Sequence, residues 1–373
     1  MADFQKVPAL CGLVEIKIDC TGDSSLVTIL YRNTNKKAVK IYGVHAILPQ
    51  GVPYGIFECD GTPYKKPDEK FDCIPVFMLA DREGYYSRRC PSCNKLFRTK
   101  SAVVRICPYC ASTFLPQSFL TEEQLNYIKD YTKIYIESLN TKQNSIIDLD
   151  FIKEKNNASE QGYYFFEEKQ QTTFKCDKCG LETNILGIYA YCPVCGKRNT
   201  LIIIENQLQQ LQNRVDNPRY STKEKKYRDE EWRQITKQCV SYFEAFSRDI
   251  VNEITKIVPM LPKRQKLLEK INFHNPIDAS ELLNECVGIN FLDGIDNKEK
   301  IFIKKRFLRR HIYEHWGGIA DQQYIDKADE KLIKTGQITR ERFSNVLTLI
   351  DLVRRMALNL DRDFHLLSLV ERY

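Results

Sequence analysis

The chain has 373 residues, 43% hydrophobic and 28% charged, with a formal net charge of +7. That is ordinary globular composition, long enough for two or three domains with their own cores, and it excludes fibrous and disordered classes. No run of about 18 apolar residues occurs, so no membrane span is expected, and Met1–Pro8 carries charges and lacks the apolar stretch of a secretory signal.

Fourteen cysteines would suggest disulfides in a secreted chain, but eight fall into CxxC pairs. That pattern points to thiolate ligands in a reducing compartment, so a cytoplasmic protein is expected. The remaining six, Cys11, Cys20, Cys59, Cys73, Cys239 and Cys286, lack ligand spacing and read as small buried hydrophobes. The modest positive charge is compatible with a nucleic-acid partner without requiring one.

In chain order, residues 1–84 read as β. Val14, Ile16 and Ile18 alternate, and Leu26–Tyr31, Val39–Leu48 and Cys73–Leu79 are β-branched or aromatic runs. Turn signals at Gly22-Asp23, Asn33–Asn35, Pro49–Pro53 and Asp60–Pro63 separate them, which predicts a small β-sandwich or barrel. His45 stands alone there and reads as packing.

Cys90-x2-Cys93 and Cys107-x2-Cys110 follow, within 85–115. Four soft thiolates in two knuckles select a tetrahedral Zn2+, the signature of a zinc ribbon. Residues 116–168 read as a spacer. Thr121-x-x-Gln124 resembles a capping box opening a helix to about Leu139, Asn140–Gly162 reads as loop, and Tyr163–Glu168 and Thr172–Phe174 as strands entering a second ribbon. Cys176-x2-Cys179 and Cys192-x2-Cys195, within 169–204, repeat the zinc spacing, with Gly180 and Gly196 suited to the tight turns. Two structural Zn2+ are expected, and the repeat reads as an internal duplication. Redox-active CxxC is the weaker alternative.

From 205 to 373 the pattern is helical. Apolar residues recur every three or four positions along Asp229–Ile257, with Trp232, Ile235, Cys239, Phe243, Phe246 and Ile250 among them. Shorter helices are predicted over Lys263–Ile271 and Ser280–Val287, and a last one from Thr339 to about Leu360. Short connections make this a bundle. His274 and His365 read as structural or surface.

Lys298–Asp321 carries the densest chemistry. Wound as a helix, it has one apolar stripe of Ile301, Leu308, Ile312 and Trp316 and a second of Ile303 and Phe307. A helix apolar on two sides is buried twice, which predicts a partner surface at Ile303 and Phe307. Arg310, His311, Glu314 and His315 fan between the stripes. Lys304, Lys305, Arg306 and Arg309 surround them as a candidate RNA-binding surface. A fixed cation beside two groups that exchange protons near neutral pH suits phosphodiester chemistry. The competing readings are a packed core histidine at His315 and half of a metal site. An HExxH zinc-protease motif is absent, because Glu314 precedes His315 and does not follow His311.

Arg310-His311-x-x-x-His315 resembles the Arg-x4-His motif of the HEPN superfamily, in which a polar Asn, Asp or His typically follows the Arg. The resemblance covers roughly the last 150 residues. It implies an all-α bundle that dimerises through the motif helix and acts as a metal-independent ribonuclease. Arg310 and His315 would be catalytic, with His311 assisting and Glu314 in support. A 2′-OH would attack the adjacent phosphate, leaving 2′,3′-cyclic phosphate ends. By analogy with the family, a toxin or antiviral effector is expected. The fold class is thus multidomain α+β. The alternative function is a non-catalytic module, in which ribbons and β-domain bind nucleic acid or protein and the bundle dimerises.

Overall fold

The computed structural model describes residues 4–6, 12–21, 24–32, 43–47, 53–57, 64–65, 74–78, 85–101, 103–120, 122–149, 151–152, 166–168, 171–217, 225–330 and 332–367. Apart from Pro53, the turn signals of the N-terminal region lie outside them, as do Thr121, Cys11, Cys59 and Cys73. The chain divides into two compact units, Met1–Lys197 and Arg198–Arg372.

The first unit is built from small antiparallel sheets. Its strands begin with β1 (Phe4–Lys6), β2 (Leu13–Thr21), β3 (Ser24–Arg32), β4 (Gly43–Ile47), β5 (Pro53–Phe57), β6 (Tyr64–Lys65) and β7 (Ile74–Met78). Then come β8 (Tyr86–Arg89), β9 (Leu96–Thr99), helix α1 (Glu122–Thr141), β10 (Ser145–Asp148), β11 (Phe166–Glu168), β12 (Thr172–Lys175) and β13 (Glu182–Ile185). Alternation decides the buried face: Val14, Ile16 and Ile18 point inward from β2 while Lys17 and Asp19 face water.

Residues 116–168 are not a spacer. β10 adds an edge to β2 in the sheet β10-β2-β3-β6. Ile128, Tyr131 and Tyr135 of α1 enter the same core as Val14, Ile29, Val76 and Ile147. Their three- and four-residue spacing makes one apolar stripe, and the sheet needs that stripe to leave water. β11 likewise does not lead into a ribbon; it pairs with β1. β5 occupies Pro53–Phe57, starting on the last residue of the predicted turn, and pairs with β4 in the sheet β5-β4-β7. His45 lies on β4.

The two ribbons form one body. Hairpins β8–β9 and β12–β13 join through β9 and β13 into the four-stranded sheet β12-β13-β9-β8. The join is quasi-two-fold. Arg98 pairs with Asn184, and the two hold equivalent positions in their ribbons. Arg98 Nε donates to Asn184 Oδ1 at 2.9 Å. The backbone repeats the symmetry reciprocally. Arg105 N and Ile106 N donate to Pro193 O at 3.0 and 3.2 Å, and Tyr191 N donates to Pro108 O at 2.9 Å. The internal repeat read from the cysteines is therefore folded face to face, with Phe97, Phe119, Phe174 and Ile185 in the shared core.

The second unit is helical: α2 (Thr200–Val215), α3 (Lys225–Ile257), α4 (Pro262–Glu269), α5 (Pro276–Val287), α6 (Asn297–His315), α7 (Gln322–Ala328) and α8 (Phe343–Leu367). α4 and α5 open on proline, where the missing N–H costs nothing. α5 stops at Gly288, whose φ of 78° suits the left-handed exit. α6 starts with a capping box between Asp296 and Glu299. The predicted face of α3 is the observed one: Trp232, Ile235, Cys239, Phe243, Phe246 and Ile250 are all buried against α2, α6 and α8. Cys239 and Cys286 are buried, as small hydrophobes should be. Among the described residues, no helix is long and apolar enough to cross a membrane.

Candidate functional site

Two four-cysteine groups sit in the ribbon sheet, Cys90, Cys93, Cys107 and Cys110, and Cys176, Cys179, Cys192 and Cys195. Within each group all Sγ atoms lie within 4.8 Å of one another. Closest pairs are 3.7 Å apart in the first and 3.5 Å in the second. A tetrahedral ion with sulfur ligands at about 2.3 Å needs sulfur edges of roughly 3.8 Å, so both groups fit a metal ion.

The knuckles are built alike. In each, the N–H of the first cysteine and the N–H four residues on close the same turn, as in Cys176 N to Leu181 O at 2.8 Å and Gly180 N to Cys176 O at 2.9 Å. The residue after the second cysteine must be left-handed. Gly180 and Gly196 take it at φ of 73° and 76°, while the first ribbon uses Asn94 and Ala111. Burial pushes the Cys107 and Cys192 thiols up, so a cation is what makes thiolates of them. Elemental analysis of anaerobically purified, reduced protein should find two metal ions per chain. Cys107→Ser should remove one and loosen the ribbon sheet. Metal-free wild-type protein under those conditions would refute the assignment.

The second candidate is the C-terminal turn of α6. His311 and His315 are both exposed, and their ring centroids are 4.8 Å apart. A cavity of about 860 Å³ opens on the His311 side, lined among others by Lys270, His274, Lys304, Asp321 and Lys327. Arg310 leaves this sector and lies beside α3. Its Nη2 is 3.8 Å from Glu244 Oε2, and its Nε has no hydrogen-bond partner among the described residues. Glu244 Oε1 also meets Nδ1 of His274. Glu314 turns to α3 as well, 2.9 Å from Lys237 Nζ, and that ammonium holds its carboxyl below the usual carboxylate value.

Lys237, Glu244 and His274 are therefore members of the site that sequence reading missed. Lys237 and Glu244 share one face of α3, a pattern the sequence carries. Which helix that face meets is a tertiary fact, as is the approach of the isolated His274.

Two sequence expectations are corrected here. Ile303 and Phe307 do not form an outer stripe for a partner. They are 0% and 1% exposed, and Phe307 packs edge-on against Phe243 of α3, centroids 5.9 Å apart. The other stripe is the one left partly outside, with Ile301 and Trp316 exposed and Ile312 buried. Half of the basic surround is also interior. Lys304 is exposed and Lys305 half-buried, but Arg306 and Arg309 are buried and committed to carboxylates. Arg309 donates to Glu341 Oε1 at 2.9 Å, to Glu330 Oε1 at 2.8 Å and to Tyr324 OH at 2.9 Å. Arg306 Nε lies 3.0 Å from Glu341 Oε2. They form a core ion network and are not an RNA surface.

Partial burial, the His315 ring and the Arg310 guanidinium hold the His311 imidazole below its ordinary value. That direction favours the neutral imidazole, the form that accepts a proton. The linkage follows: the fold carries no penalty from His311 above the unfolded value of about 6.5, and a growing one as pH falls below it. In an NMR titration His311 should show a midpoint under about 6.5, moving up in His315→Gln because His315 is one of the groups that lower it. A wild-type midpoint above that value would contradict the arrangement.

No family model matches the chain, and neither does a curated protein or a solved structure.

Proposed function

We propose that the helical unit is a metal-independent endoribonuclease of the HEPN type, joined to a ribbon body that holds two structural Zn2+. One observation carries the reading: paired exposed histidines, 4.8 Å apart, on the last turn of a helix with an arginine immediately before them. The shift of His311 toward its neutral form and the neighbouring cavity support it further.

The chemistry needs no other cofactor. A base takes the proton of the ribose 2′-OH, O2′ attacks phosphorus, the P–O5′ bond breaks, and an acid protonates O5′. His315 moves the proton as base or acid, and His311 assists. Arg310 holds the charge of the phosphorane, which its planar fork matches. Arg310 and His315 diverge by about 140° on an ideal helix. The 3.8 Å approach of Arg310 to Glu244 is loose, so leaving it for a phosphate breaks no strong bond. A two-fold copy docked against the last turn of the motif helix would add a second set of the same groups. A role as toxin or antiviral effector belongs to the same proposal.

The rival reading is a recognition module, with ribbons and β-domain binding nucleic acid or protein. The single quasi-symmetric ribbon body favours it, since a rigid sheet makes a good platform. Incubating purified protein with RNA in chelator separates the two. Cyclic phosphate ends from the wild type support the enzyme; intact RNA supports the module.

A further inference from the structure

The chain has two tryptophans with opposite surroundings. Trp232 is 7% exposed, in the core of the helical unit, and Trp316 is 58% exposed. An indole offers one of the largest apolar surfaces a side chain can bury, so leaving one in water is costly unless it meets something else.

Trp316 is open without being loosely held. Its backbone N–H closes the last turn of α6 on Ile312 O at 2.9 Å, and Gly318 N reaches the same oxygen at 3.0 Å. Gly317 O accepts from Arg233 Nη1 of α3 at 2.9 Å. A Cβ on Gly318 would meet the Tyr313 ring at 3.2 Å, which pins the turn against α6. Beside it Ile319 and Ile338, joined by an isolated bridge, are also about half exposed. The result is an exposed aromatic side chain on an anchored turn, one residue beyond His315.

We propose that Trp316 stacks a base of single-stranded RNA, fixing the nucleotide that flanks the phosphate at His315; for its substrate this rests on the ribonuclease reading. Consecutive Cα atoms are about 3.8 Å apart, so a ring at 316 serves a nucleotide next to the one whose phosphate meets 315. Every base has a π-face, but only an unpaired base can turn it to a side chain. The indole therefore selects single strands over duplex. Further along the same helix Arg310 is loosely paired and Lys304 is exposed, cations available to a strand that runs on from His315.

The direct test is tryptophan fluorescence. An all-2′-deoxy single strand, which lacks the attacking hydroxyl, should quench the exposed indole, and a duplex of the same sequence should not. Trp316→Phe should abolish the quench, since Trp232 is shielded. In cleavage, Trp316→Ala should raise KM roughly 5- to 150-fold with kcat unchanged, and Trp316→Phe should restore most of it. Quenching by the deoxy strand with no RNA cleavage by the wild type would remove the ribonuclease and leave the stacking standing. Cleavage with no quenching, or a Trp316→Ala protein that drops to a smaller oligomer with KM unchanged, would overturn the stacking.

Discussion

His315→Ala should lower RNA cleavage by roughly two to four orders of magnitude, the range a positioned proton donor or acceptor contributes. The fold should survive, because the side chain is exposed at the helix end and its loss opens no cavity. Arg310→Lys should fail as well. An ammonium keeps the charge but cannot span two phosphate oxygens, and it gives up the reach of the fork. Activity should persist in chelator over the cleavage time, since no metal takes part in the step. DNA should resist for want of the 2′-OH. His315→Ala cleaving RNA as fast as the wild type would end the catalytic reading and leave the recognition module.

Arg309→Ala should destabilise the helical unit by about 3–5 kcal/mol, the usual consequence of removing one side of a buried ion pair. Glu341, whose side chain is 0% exposed, would keep Arg306 and Tyr313 as its partners among the described residues. Glu330 would lose both hydrogen bonds from the guanidinium. For a unit of this size the melting temperature should fall by roughly 6 to 20 °C. Adding Glu341→Gln to Arg309→Ala should recover part of the loss, because the stranded charge goes with it. Melting at the wild-type temperature, with weaker RNA binding and a shallower salt dependence, would return Arg309 to the surface and revive the role read from sequence.

The histidine pair and the two four-cysteine groups were legible because both are local. A CxxC knuckle is closed by hydrogen bonds within six residues, so its spacing already states its geometry, and the left-handed site after it is announced by Gly180 and Gly196. Histidines at i and i+4 are neighbours on any helix. The long α3 was readable for the same reason, since its three- and four-residue period reports one buried face.

What the sequence by itself determined, then, was which residues are brought together along a single element: the cysteine knuckles, the His311–His315 pair, the helices and the main strands. The tertiary structure decided which elements meet. Two apolar stripes on α6 say that two faces avoid water, but only packing against Phe243 shows that Ile303 and Phe307 face their own core. Four cations around the motif look alike in sequence, and only carboxylates arriving from Glu330 and Glu341 turn Arg306 and Arg309 inward. The pairing of β9 with β13, the docking of α1 and β10 into the N-terminal core, and the arrival of Glu244 and His274 beside Arg310 are likewise long-range. A periodic pattern fixes the direction of a side chain about its own axis; the partner it finds there depends on the closure of loops tens of residues long, and local spacing carries no record of that.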